Sequence, residues 1–329
     1  MRVLVLGGTV FLSRAVAAAA LARGHEVWCV ARGASGSAPD GARLVVADRD
    51  RPGALDELRG ERFDAVVDVA TMSLPWVADA LDALAEKAGH WTFVSTINVY
   101  ADAATRGQRA DAPLLAPRTE PTERSDTPDP DVYGGVKVAS ENAVRAALGE
   151  RAFVVRGGLL AGPGDPHDRF GYWPARMATG GRVVVPDVPD QPFQYADARD
   201  LADWIVSAGE RGLAGTFDGT GPRGTLAAVL EGIASSVGAA DLSLVPVPPE
   251  DLLAAGVRPW AGPKSLPLWL PTTHYGMADR DTEASLAAGL EIRPLADTAA
   301  DVLADERSLG PNRPRKAGLT PEEEAPLLQ

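Results

Sequence analysis

Cysteine, histidine and lysine are all scarce in this chain, and each scarcity excludes something. A single cysteine, Cys29, among 329 residues rules out an intramolecular disulfide. It falls within an apolar run that reads as a buried strand. The N-terminus shows no signal-peptide cleavage pattern, so a cytoplasmic enzyme is the expectation. The four histidines, His25, His90, His167 and His274, are scattered without metal-ligand spacing, and no metal site is expected. No apolar run approaches the ~20 residues that span a bilayer. Basic charge is short as well. A net charge of −13 and a pI near 4.8 argue against nucleic acid and anionic membrane as partners. A small-molecule substrate is the expected partner. The lysines number only four: Lys87, Lys137, Lys264 and Lys316.

What is present is a core-forming composition, 45% hydrophobic, in a length that allows one large domain or two modest ones. Apolar runs over 2–7, 26–32, 42–48, 63–70 and 90–100 read as strands. Helical spacing over 13–24, 52–60 and 75–87 places helices between them. Strands that are apolar throughout, rather than alternating, suit a parallel sheet covered on both faces. The fold class is therefore α/β, a doubly wound parallel sheet. A long proline-rich and charged loop occupies 101–130. A capped helix carrying Tyr133 follows, then a strand over 152–162 and a helix within 193–212. Beyond about residue 219 the rhythm weakens into a helix over 223–237, a strand over 242–247 and a Trp/Pro-rich stretch over 258–271. The domains expected are 1–218 with a nucleotide site, a smaller substrate-binding lobe over 219–300, and a charged tail over 301–329. Segment 163–190 is expected to contribute to the substrate cleft. In the tail, Thr320, Pro321 and Glu323 have the form of a capping box.

Chemistry is written at four places. The first is "VLGGTVFLSRAV", which follows strand 1 and opens a helix. A dinucleotide needs a tight turn, close backbone approach and a helix N-terminus aimed at its phosphates. Gly7 and Gly8 supply the turn, while Val10 and Ser13 stand where a full fingerprint has further glycines. The second place is the end of strand 2, where an NAD site usually has a carboxylate. Arg32 stands there instead, which favours NADP(H), with NAD(H) still admissible. Asp48 after strand 3 reads equally as an adenine contact or a turn cap. Asp68, ending strand 4, is similarly open. The third place is the helix of "DPDVYGGVKVASENAV", where Tyr133 and Lys137 are four apart and share a face. Gly134 and Gly135 each cost about 1 kcal/mol against alanine in a helix. They suggest close approach of the nicotinamide end of a cofactor, or a tight packing contact. The fourth place is "DRFGYWP", just past the strand over 152–162, where Arg169, Phe170, Tyr172 and Trp173 read as a substrate wall or as plain core.

"GGTVFLS", "STINVY" and "YGGVK", in this order, resemble the short-chain dehydrogenase/reductase superfamily. More narrowly they resemble its extended and atypical branch, the NAD-dependent epimerase/dehydratase family, over residues 1 to about 220. The resemblance implies a Rossmann fold and a Thr/Ser-Tyr-Lys catalytic set. Tyr133 would be the general acid or base. Lys137 would lower its pKa and hold the nicotinamide ribose, and Thr96 would bond the substrate oxygen. Cofactor contacts are expected from Gly7, Gly8, Val10, Phe11, Leu12, Arg32, Asp48, Ala70, Tyr133 and Lys137. Substrate contacts are expected from Ser95, Asn98, Arg169, Phe170, Tyr172 and Trp173. The activity expected is an NADP(H)-dependent oxidoreductase acting on a carbonyl or hydroxyl. The alternatives are an NAD-dependent nucleotide-sugar epimerase or dehydratase, and a nucleotide-sensing or RNA-binding protein on the same scaffold. The Tyr-bearing helix often forms a dimer interface in this branch, so a homodimer is a further expectation.

Overall fold

The computed structural model describes residues 1–120, 129–310 and 313–329. Part of the expected loop, 121–128, therefore lies outside the described residues, as do 311 and 312 of the expected tail. Seven parallel strands form the central sheet: β1 (Arg2–Leu6), β2 (Glu26–Ala31), β3 (Arg43–Val46), β4 (Phe63–Asp68), β5 (Ala88–Thr96), β6 (Ala152–Gly157) and, far along the chain, Gly215–Gly219. Counting Gly215–Gly219 as the seventh, the strands lie in the order 7-6-5-4-1-2-3. The order reverses between β1 and β4, and ligands of such sheets bind in the crevice beyond that reversal.

Helices cover both faces because both faces are apolar. Helix α1 (Phe11–Ala22) buries Val16, Ala17 and Ala20 on one side, beside Leu201, Trp204 and Ile205 of the helix over Ala198–Arg211. On the other face, α2 (Leu74–Leu84) sets Val77, Leu81 and Leu84 against Trp91 and Phe93. Val144 and Leu148 of α3 (Pro130–Leu148) join the same cluster. Asp129 caps α3, its carboxylate accepting from the amides of Asp131 and Val132.

Two expected elements differ from what is observed. The helix read over 52–60 is only a single 3-10 turn, Asp56–Leu58, because Pro52 and a left-handed Gly53 precede it and Gly60 closes it. The strand read over 152–162 breaks at Gly157–Gly158. A Cβ on Gly158 would lie 3.0 Å from the Thr220 side chain, so the chain leaves the sheet through a tight gap that glycine suits. Leu159–Ala161 then pairs with Tyr195–Asp197 instead.

A second core lies past this break. Phe170, Tyr172, Trp173, Leu226, Leu230, Trp269, Val302 and Leu319 belong to it. It draws on residues from 159 to 328, so the described part of 301–329 is packed structure. Leu295–Leu309 is one helix that runs across residue 301. The capping box at Thr320 and Glu323 is formed. Glu324, nearly sealed, accepts from Arg176 Nε at 2.8 Å and from the Val184 amide at 2.9 Å. Among the described residues no helix is long and apolar enough to cross a membrane.

Glu324→Ala should therefore destabilise the protein by about 1–3 kcal/mol, since it strands a buried amide and a mostly buried guanidinium. Denaturant midpoints of the two proteins check this. A loss no larger than that of an ordinary surface substitution would mean that the segment is not held as described.

Candidate functional site

The site is built where β1, β4 and β5 end and the first turns of α3 pass over them. Gly7 (φ 135°) and Gly8 (φ 97°) hold conformations that L side chains rarely adopt. A Cβ on Gly8 would lie 2.4 Å from Cys29 Sγ, so the turn also needs glycine for its seat on β2. Helix α1 starts with no side-chain cap on Val10, so its first amides face outward. Val10 and Phe11 line this turn. The Leu12 side chain is in the core, which leaves only its amide for a ligand. The loop after β2 closes down on the turn, Gly36 approaching the Thr9 carbonyl more closely than any side chain would allow. Arg32, at the start of that loop, is exposed and forms no ion pair among the described residues.

Lys137 is 2% exposed. Its Nζ donates to the carbonyls of Ala70 at 2.5 Å and Val94 at 2.6 Å, so one side chain joins α3 to the ends of β4 and β5. The third N–H has no partner among the described residues. Burial pushes the ammonium down to about 8, against the opposing charges of Asp68 and Glu141. Tyr133 lies one turn earlier, its ring centre 5.9 Å from Nζ. Burial pushes its phenol up to about 12. The Thr96 side chain, a hydrogen-bonding neighbour, and the Arg169 charge act the other way. The Thr96 hydroxyl also receives the Asn98 amide at 3.2 Å and donates to Asn98 Oδ1 at 3.2 Å. Tyr133, Lys137, Thr96, Asn98, Ala70 and Arg169 are thus gathered at one place.

Other sequence-predicted residues are engaged elsewhere. Ser95 points to the opposite face of β5 from Thr96 and donates to Glu141 at 2.5 Å, so its hydroxyl does not face the substrate side. Phe170, Tyr172 and Trp173 are fully packed in the second core, with the Trp173 indole donating to the Pro267 carbonyl at 3.0 Å. Of the four residues read as a wall, only Arg169 lies near Tyr133, acting on it by charge. Asp48 accepts from the Asp50 amide at 3.2 Å and caps its turn. Asp68 is sealed against Arg49, with contacts of 3.0 and 3.3 Å, and accepts the Ala70 amide at 2.9 Å. Gly134 and Gly135 make room for this chain itself. A Cβ on Gly134 would lie 2.1 Å from the Asn98 carbonyl oxygen, and one on Gly135 would lie 3.0 Å from that of Ala116. The Arg118 amide then bonds the Gly135 carbonyl at 2.9 Å.

Behind the site runs a buried polar network that the sequence reading missed. Arg156 donates to both oxygens of Glu141, at 3.0 and 2.8 Å, and to the Tyr100 hydroxyl at 2.9 Å. The Tyr100 hydroxyl donates to Asp218, which also accepts from Arg280 at 3.1 Å. Burial would raise the Glu141 carboxyl, but the bonds and charge of Arg156, then Ser95 and Arg145, prevail and hold it low. Two signals were available. Glu141 stands four residues after Lys137, and Arg156 interrupts an otherwise apolar strand.

The turn, the uncapped helix start, the unpaired Arg32 and the spare Lys137 donor together fit a dinucleotide cofactor. A model of the NAD dependent epimerase/dehydratase family matches residues 3–217. The chain is 30% identical over 222 residues to 3-diazoavenalumate denitrifying reductase from a Streptomyces species, covering 64% of this chain and 72% of that protein. Among solved structures it resembles the Bordetella bronchiseptica enzyme WbmH in complex with NAD+, at 16% identity and a TM-score of 0.65, covering 94% of this chain and 99% of that one. It also resembles UDP-N-acetylglucosamine 4-epimerase from Bacillus cereus, at 18% identity and a TM-score of 0.65, covering 93% and 99%. These structural likenesses bear on the fold.

Lys137 carries a pH signature. Its pKa lies near 8 in the folded protein and near 10.4 in an unfolded chain. The unfolded chain thus binds the proton more tightly, and the Lys137 contribution to stability grows as pH rises from about 8 toward 10. In Lys137→Met that increment should vanish. Denaturant unfolding of both proteins at the two ends of the window checks it; parallel pH dependences would refute the assignment.

Proposed function

The chain belongs to the NAD-dependent epimerase/dehydratase family and is an NAD(P)-dependent enzyme, and on that footing we propose that it is an NADP(H)-dependent reductase or dehydrogenase of a small carbonyl or hydroxyl compound. The observation that carries this reading is the seating of Tyr133 beside Thr96, one turn from a buried Lys137 that keeps one N–H without a partner among the described residues. The reductase activity in the name of the Streptomyces relative supports it. The cofactor, when bound, supplies the hydride. Tyr133 transfers the accompanying proton at its phenolic oxygen. Thr96 donates to the substrate oxygen as negative charge develops there. Lys137 holds the ribose with its spare N–H. Its positive charge also favours the phenolate during proton transfer, as the charge on Arg169 does. The protein has to bring a phenol near 12 into use at neutral pH, and added positive charge is the means of doing so.

Preference for the 2′-phosphate follows from Arg32. Its guanidinium is exposed and forms no ion pair among the described residues, at the start of a loop of small residues, 33–37. NADPH should bind more tightly than NADH in a fluorescence titration, and Arg32→Asp should reverse the order. Tighter binding of NADH by the unaltered protein would remove this part of the proposal.

The proton-transfer role is tested separately. NADPH consumption over a panel of small aldehydes and ketones identifies a turned-over compound. On it, Tyr133→Phe should lose roughly 10²–10⁴-fold in rate while its cofactor affinity stays nearly constant. Full activity of Tyr133→Phe would sink the mechanism.

A further inference from the structure

The second lobe presents Arg169 to the Tyr133 site with its guanidinium unspent. Its Nε is sealed from solvent and has no hydrogen-bond partner. No ion pair of this guanidinium forms among the described residues. Arg169 as a whole is half-buried, whereas the buried arginines Arg49, Arg156 and Arg280 are each bonded to a carboxylate. Asp165 and Tyr133 act on Arg169 by charge alone, against a burial that disfavours its cation. A buried cation without a partner is costly, and in native proteins such groups are satisfied.

The backbone around it is unusual on both sides. Arg169 Cζ lies 4.9 Å from the centre of the Trp260 ring. Trp260 has φ 74°, and Asp168, immediately before Arg169, has φ 61°. A bulky aromatic at positive φ is a true outlier, and such strain persists where surrounding structure over-determines it. Here the surroundings are visible. The Asp168 carboxylate is held by Arg313 and by the Lys316 amide at 2.8 Å. A strained Trp260 and a clamped, left-handed Asp168 thus flank one guanidinium stacked on one indole, and the charge of that guanidinium acts on Tyr133.

We propose that Arg169, stacked on Trp260, anchors an anionic oxygen group of the substrate, a carboxylate or a phosphate, and so restricts this enzyme to acidic small molecules. The assignment rests on the oxidoreductase reading given above. A guanidinium offers a planar fork that matches two oxygens of either group at once. The anchored group then sets the distance at which the reacting carbonyl or hydroxyl meets Tyr133. One guanidinium suits a single anionic group.

The test uses three probes: benzoate, phenyl phosphate and the neutral isostere benzamide. Each is titrated into the full protein with and without NADP+, followed by tryptophan fluorescence. NADP+ affinity is measured on the same samples. At least one anion should bind about tenfold or more tightly than benzamide, a charge-assisted bond being the difference. Arg169→Gln should erase that preference with NADP+ affinity unchanged, and Arg169→Lys should retain part of it. The tighter of the two anions tells carboxylate from phosphate. Equal affinity for all three probes, no binding of either anion, or an undiminished preference in Arg169→Gln overturns the anchor. If Arg169→Gln fails to fold, the wild-type comparison of anions with benzamide still decides. Absence of binding of both NADP+ and NAD+ would sink the oxidoreductase reading, and the anion comparison without cofactor would then judge the anchor alone.

Discussion

A single buried ammonium organises the site. Lys137 joins three elements that the sequence keeps far apart: the turn after β4, the end of β5 and helix α3. An ammonium taken out of water must be compensated, or it will lose its proton. Two backbone carbonyls supply part of the compensation. Asp68 and Glu141 supply the rest through charge, and each is itself neutralised by arginine. The Arg49–Asp68 pair and the Glu141–Arg156 network are therefore parts of one arrangement with a lysine at its centre. They sit on either side of it and hold β4 and β6 to the same frame.

The same frame carries the second lobe. Ser95, Arg156 and Asp218 occupy one register row across three neighbouring strands. From that row Tyr100 and Arg280 reach into the loop after β5 and the segment near residue 280. Arg280 stacks 3.4 Å from the centre of the Tyr100 ring and donates to the Arg109 carbonyl. Ion pairs from Arg106 to Asp279 and from Arg109 to Asp281 continue the seam outward. The inner pairs are sealed, so breaking one partner is far more costly than breaking an exposed pair of the same geometry.

Much of this was legible in the sequence, and the failures have physical reasons. The apolar strands, the capped α3 and the face shared by Tyr133 and Lys137 follow from periodicity and capping, which are local. The family resemblance rested on the same local runs. Gly134 and Gly135 did signal a close approach, but composition could not say what approaches; the neighbour is the carbonyl chain of Asn98 and Ala116. Phe170, Tyr172 and Trp173 went to the core because aromatic clustering looks alike in a core and in a wall. Arg169 stood among them in sequence, and only the fold turns it the other way. Asp68 and Arg49 are 19 residues apart, and such a pairing leaves no periodic trace. The charged composition of 301–329 marked it only as a tail, yet its few apolar residues fall where the second core needs them.

That last segment has a consequence for biosynthesis. Arg313 and Lys316 grip Asp168, which immediately precedes Arg169, from nearly 150 positions further along the chain. Everything in the nucleotide half can be translated and folded before these residues emerge from the ribosome. The left-handed turn at Asp168 gains its clamp only afterwards. A nascent chain would thus acquire a place for its cofactor well before it acquires a finished wall opposite, and maturation of the two halves is ordered in time by the direction of synthesis.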